Sequence, residues 1–313
     1  MNANNTTVLS SGKRIRDFKK NFPLLILALP GLMCLILFRY FPMFGLILPF
    51  KNYEYSKGLF GSSWSGLKNF EYLFKSRDVL SATMNTITYN LLFISLGTVI
   101  GLILALMLYE LTAAQVKIYQ TVLYLPYFIS WVVVAYIVNA LFDMDFGYFN
   151  KILAYFGKET VMWYAEPDKW PPTIVLANLW KGMGNGALMY YAALIGISPE
   201  YYEAARIDGA GKLKQIFCIS LPMIKNVIIV LCIINVGKIM HADFGLFYNL
   251  PMNSSVLYSK TDVLDTYVYR ALMTMNDVGM SSAASFYQAV VGFILVVATN
   301  LIVKKIDPDS GLF

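Results

Sequence analysis

Residues 203–222 read Glu203-Ala-Ala-Arg-Ile-Asp-Gly-Ala-Gly-Lys-Leu-Lys-Gln-Ile-Phe-Cys-Ile-Ser-Leu-Pro222. The stretch is polar and lies between two long apolar runs. Just ahead of it, Ser198-Pro199 is a helix-start signal: a hydroxyl cap followed by proline at the first helical position. A short helix is expected through Asp208, broken by Gly209 and Gly211. Gly209 is well placed as its C-terminal cap, because glycine takes the left-handed conformation without steric cost. Lys212 to Ser220 is expected to form a second short helix, with Pro222 opening the next apolar run. Two short helices at an angle give a connector with built-in shape. The plainer alternative is an amphipathic turn.

The rest of the chain explains where this connector sits. Of 313 residues, 58% are hydrophobic and 14% charged, against about 45–50% and about 25% in soluble domains. A disordered chain is excluded, and an ordinary soluble enzyme is not expected. With 12 Pro and 3 Cys, so are fibrous and disulfide-stapled folds. A bilayer core about 30 Å thick needs roughly 20 apolar residues per helix. Stretches near 22–48, 84–109, 118–142, 173–197, 223–247 and 284–303 qualify. The expected fold is all-α, a polytopic membrane protein of about six transmembrane helices. Residues 1–21 form a polar tail, 22–303 the transmembrane domain, and 304–313 a second tail. Lys and Arg are denser in 1–21, 110–117, 198–222 and 304–313 than in the alternate segments. Both termini and the 198–222 loop are therefore expected on the cytoplasmic side of the cell membrane. On the other side, residues 64–75 are expected to form an interfacial helix. Trp163, Tyr164 and Trp170 with Pro171-Pro172 are expected to form an aromatic belt.

Enzymatic signatures are missing. Cys34, Cys218 and Cys232 form no C-x-x-C pair, and His241 is the single histidine, so neither a redox centre nor a histidine-based metal site is expected. No G-x-x-x-x-G-K-[S/T] loop occurs. Gly209-Ala-Gly-Lys212 has Arg206 where the first glycine belongs and Leu213 where the Ser/Thr belongs. The chain is thus not expected to be an enzyme or to hold a cofactor. The net charge of +6 reflects membrane topology, with no nucleic-acid-binding pattern beside it.

The 203–222 stretch resembles the cytoplasmic loop of binding-protein-dependent ABC importer permeases: E-A-A, three residues, G, nine residues, I, one residue, L-P. Glu203, Ala204, Ala205, Gly209, Ile219, Leu221 and Pro222 match every fixed position. Phe38-Arg-Tyr-Phe-Pro-Met-Phe-Gly45, Trp64-Ser-Gly-Leu-Lys-Asn-Phe70 and Asp265-Thr-Tyr-Val-Tyr-Arg270 resemble the carbohydrate-uptake branch, which imports oligosaccharides from complex polysaccharides. The resemblance runs from about residue 25 to the C-terminus. It implies a permease paired with a second, non-identical permease, two cytoplasmic ATPase subunits that bind ATP and Mg, and an extracytoplasmic solute-binding protein. Tyr202, Glu203, Ala204, Ala205, Asp208, Gly209, Ile219, Leu221 and Pro222 would then couple the ATPase to the spans by alternating access.

A polar group inside a span is expensive unless it faces protein or water. Tyr89, Asn90, Asn139, Asn178, Trp180, Asn185, Lys238, His241, Asp243 and Phe244 are therefore candidates for an oligosaccharide path. Alternatively they satisfy one another between helices. A lining with Lys238 and His241 on one helical face suits a uronate-bearing or otherwise acidic sugar. Other readings are an ion-coupled secondary transporter, in which the 203–222 loop has no role, and an ABC permease for a non-sugar solute.

Overall fold

The computed structural model describes residues 11–306, with side chains from 21 to 305. Residues 1–10 and 307–313, and with them parts of both expected tails, lie outside the described residues. The first helix, α1, is Ser11–Leu35 and continues through a wide π turn, Ile36–Tyr40, into a tight 3-10 segment, Phe41–Phe50. A short hairpin pairs Lys51 with Trp64. Then come α2 (Lys68–Lys75), α3 (Arg77–Tyr109), α4 (Ala113–Phe128), α5 (Trp131–Phe142), α6 (Tyr148–Tyr155) and α7 (Trp170–Ile195). The second half has α8 (Pro199–Ile207), α9 (Lys212–Met223), α10 (Lys225–Gly237), α11 (Phe244–Asn249), α12 (Leu264–Met273) and α13 (Val278–Ile306). The fold is that of an all-helical membrane protein.

Among the described residues, Asn21–Phe50, Arg77–Tyr109 and Val278–Lys305 are each long and apolar enough to cross a bilayer. Two bent pairs, α4 with α5 and α9 with α10, bring the number to five. Helix α7 has 26 residues, which is long enough. It carries Asn178, Lys181 and Asn185 and is correspondingly less apolar.

Glycines bring the central helices together. A Cβ at Gly101 of α3 would lie 3.3 Å from the Gly186 carbonyl carbon of α7. A Cβ at Gly184 would lie 2.2 Å from the Leu123 carbonyl oxygen of α4. Without side chains at these points the backbones can touch, as membrane helices favour. Among the described residues, buried side chains form three clusters. One lies around Leu73, Met240 and Leu264, one around Trp170, Ile174 and Leu246, and one around Leu194, Tyr202 and Ile224.

The structure corrects four expectations. The 118–142 stretch is no straight span: its axis turns by 90° between Phe128 and Trp131. Pro126 sits in the last turn of α4, and the Ser130 hydroxyl caps α5 by accepting from Val133 N at 3.3 Å. The 223–247 stretch is likewise interrupted. Helix α10 stops at Gly237, and helix resumes only at Phe244, where the Asp243 carboxylate accepts from Leu246 N. The 64–75 segment is helical only over Lys68–Lys75. It docks on the bundle, with Leu73 fully buried and Phe74 5.4 Å from the Tyr287 ring. The expected aromatic belt is an internal stack. Trp170 is 1% exposed and donates to Trp163 O, and the Trp163 ring stacks on Phe142 at 4.4 Å.

Candidate functional site

The interrupted stretch 238–243 organises the first site. Peptide groups without helical partners are tolerated at membrane depth only where protein satisfies them. Here they are satisfied from three helices. Asn90 of α3 donates its amide to Ile239 O at 2.9 Å and His241 O at 3.1 Å. Gln288 of α13 donates to Met240 O at 2.8 Å, and Ala242 N donates to Asp265 of α12 at 2.7 Å. The same carboxylate faces His241 Nδ1 at 3.7 Å. With this backbone pinned, Lys238 and His241 are left exposed.

They border a cavity of about 380 Å³ between α3, α7 and α10, lined by Thr98, Asn178, Asn185, Tyr190, Asn235 and Lys238. A contiguous hollow of about 260 Å³ adds Asn90 and His241. Among the described residues, no carboxylate is paired with Lys238. Amide groups and one cation on a partly apolar wall can bind hydroxyl-rich or acidic solutes by hydrogen bonds and charge.

Of the residues expected from polarity alone, the cavity collects Asn90, Asn178, Asn185, Lys238 and His241. Asn90 acts chiefly as a staple, since both of its amide bonds go to backbone. Tyr89 is buried away from the cavity, bonded to Lys260 O at 2.8 Å and packed on Phe247. Trp180 lines a separate apolar groove with Phe142 and Leu176, and Asn139 lines neither hollow. Asp243 caps α11 and receives Trp131 Nε1 at 2.6 Å. Phe244 stacks on Tyr248. Thr98 and the cavity glycines Gly182 and Gly186 went unmarked in the sequence, because a threonine hydroxyl can bond its own helix backbone and a glycine has no side chain.

The second site is the 198–222 loop. Helix α8 ends in a Schellman motif: Ala210 N donates to Ala205 O at 2.8 Å and Gly209 N to Arg206 O at 3.0 Å. Gly209 has φ +77°. Tyr202 is the buried anchor. Its hydroxyl lies 3.0 Å from Ser220 Oγ, and its ring packs on Tyr109 at the end of α3. Lys212 pairs with Glu110, so the loop is tied twice to that end of α3. Glu203, Ala204, Asp208 and Gly209 are exposed, and Ile207 is 87% exposed. Ile219 and Leu221 are half-buried, on the side where the loop rejoins the spans.

The chain is similar to known proteins over most of its length. A family model described as a binding-protein-dependent transport system inner membrane component matches residues 97–308. The chain belongs to this family. It is 36% identical over 310 residues to protein LplB of Bacillus subtilis (strain 168), covering 98% of this chain and 96% of that one. It is 35% identical over 293 residues to the polygalacturonan/rhamnogalacturonan transport system permease protein YteP of the same organism, covering 93% and 90%. Its fold matches a chain of a bacterial ABC transporter involved in import of the acidic polysaccharide alginate. The TM-score is 0.86, with 31% identity and coverage of 94% and 99%. A second match is the alginate transporter in complex with an alginate pentasaccharide-bound periplasmic protein, with TM-score 0.84, 32% identity and coverage of 93% and 97%. The family is one of membrane transport components.

Proposed function

We propose that this chain is a permease subunit of an ABC importer for oligosaccharides, including acidic ones derived from polysaccharides. The observation that carries this reading is the cavity at the interrupted helix, where amides and Lys238 meet in a wall otherwise suited to a membrane core. The names of the relatives point the same way. In this reading α7 is the sixth span, both termini are cytoplasmic, and the cavity is the mid-membrane stage of the path.

The 198–222 loop then faces the cytoplasm and docks on a separate ATPase, which binds ATP and Mg. Its exposed Ile207, Glu203 and Ala204 supply the contact surface. Tyr202 and the Lys212–Glu110 pair carry movement of α8 into α3 and α9, which gives alternating access. A second permease completes the path, and an extracytoplasmic solute-binding protein delivers the sugar.

The test is reconstitution of the complete transporter in liposomes. Uptake of oligogalacturonides or other oligosaccharides is expected to require ATP and the binding protein, and to persist when ion gradients are collapsed. Uptake driven by an ion gradient without ATP would refute the proposal.

A further inference from the structure

A second hollow, of about 370 Å³, lies apart from the central cavity, between α5 and the segment 248–253. Its walls include Tyr136, Tyr248, Asn249 and Asn253. Tyr248 belongs to a cluster of three rings. Phe244 and Tyr248 stack at 4.9 Å, and Tyr269 of α12 meets Phe244 at 4.9 Å and Tyr248 at 5.3 Å. Tyr136 is 63% exposed, and its hydroxyl has no partner among the described residues. The Asn249 amide donates to Gly245 O, leaving its side-chain carbonyl oxygen unused. The Asn253 side-chain carbonyl accepts from Tyr258 OH at 3.0 Å, leaving the side-chain N–H groups free, and the residue is held at φ +48° next to Met252 at φ +53°.

This cluster lies close along the chain to residues of the central cavity. Phe244 follows His241 by three residues. Tyr269 lies one turn beyond Asp265, the carboxylate that faces His241. The Tyr136 and Tyr248 rings, bordered by free amide donors and acceptors, fit a pyranose ring. The C–H face of the sugar rests on the aromatic ring, and its rim hydroxyls take the hydrogen bonds. An acyl chain has no use for the amides. The hollow also falls within the volume range of small-molecule sites.

We propose that Tyr136, Tyr248, Asn249 and Asn253 form a second sugar subsite, which holds a trailing ring of an oligosaccharide while its leading rings occupy the central cavity. This rests on the sugar-importer reading. Chains too short to span both sites gain nothing from it, so the subsite favours longer oligosaccharides.

The experiment uses the complete transporter in nanodiscs with a Tyr136→Trp reporter. It is titrated with galacturonate and glucose oligomers from dimer to hexamer. A saturable fluorescence change is expected, at lower concentration for hexamers than for dimers. In Tyr136→Ala, apparent affinity for hexamer uptake is expected to fall about three- to tenfold, the range of one aromatic contact, with dimer uptake unchanged. No fluorescence change with either series overturns the subsite, as does an equal loss at every length. Loss of the second permease on purification of Tyr136→Ala also overturns it, and assigns the hollow to subunit packing. Failure of the importer reading is a different result: no ATP-dependent uptake of any sugar by the unmodified transporter.

Discussion

Two glycines of α7, Gly182 and Gly184, are two residues apart and predict opposite outcomes for the same substitution. A Cβ at Gly182 meets nothing within 4 Å. A Cβ at Gly184 falls 2.2 Å from Leu123 O, 2.6 Å from Leu123 C and 2.9 Å from Tyr124 N. All three atoms are backbone, so no rotamer change relieves the clash. Since real Cβ contacts stay above 3.0 Å, α4 and α7 must part by about 0.8 Å. Overpacking of this kind costs about 1–3 kcal/mol. The gain in helix propensity from Gly to Ala, at most about 1 kcal/mol, is common to both variants and cancels in their difference. At about 2–4 °C per kcal/mol for a chain of this order of size, Gly184→Ala should melt about 2–12 °C below Gly182→Ala. The assay is intrinsic-fluorescence melting of the purified chain in nanodiscs. Equal melting temperatures would show that the two helices do not touch at Leu123, and the 90° corner that follows would lose its geometric basis.

Gly209→Val should abolish uptake, because a β-branched residue resists a positive φ. Gly209→Asn should retain most of it, since no neighbour lies within 4 Å and the cost is backbone strain alone. The readout is uptake per ATP hydrolysed, and equal behaviour of the two variants would refute the capping role. Asn90→Leu removes the donor to two backbone carbonyls and should destabilise the chain by about 2–6 kcal/mol, at about 1–3 per orphaned group. Denaturant melts check this, and a loss below 1 kcal/mol would mean the 238–243 stretch needs no staple. Arg270→Ala leaves Asp262, whose side chain is 7% exposed, as an unpaired buried carboxylate. The expected cost is about 3–5 kcal/mol, with partial recovery in the Asp262→Asn double variant. Lys238→Ala should lower uptake of acidic oligosaccharides more than that of neutral ones of equal length, and an equal effect on both would remove Lys238 from charge recognition.

The loop at 198–222 was legible in the sequence because its signals are local. Pro199 starts the helix, although the Ser198 hydroxyl makes no cap bond, Gly209 ends it, and the bonds that close it run over three to five residues. The interrupted spans were not, because hydropathy over a window registers side chains and ignores the backbone beneath them. The caps that mark the breaks, Ser130 and Asp243, sit in plain view as single polar residues. Their consequence depends on distant groups: Asn90 reaches 149 residues along the chain to Ile239, and Lys181 bonds Tyr127 O across 54. The cavity was half legible for the same reason. Polarity in a span selects Asn178, Asn185 and Lys238, yet it also selects Tyr89 and Asp243, whose partners within the protein occupy them.

The pinned stretch at 238–243 has a consequence for biosynthesis. Its peptide groups depend on Asn90, made before it, and on Asp265 and Gln288, made after it. When α10 first enters the bilayer, two of its three supporting helices do not yet exist. The Met240 carbonyl and the Ala242 N–H must wait, hydrated or mispaired, until α12 and α13 arrive. A ribosome stalled or a chain truncated between Asn249 and Asp265 would leave this stretch unsatisfied. A protease that samples the bilayer interior could recognise an incomplete copy there.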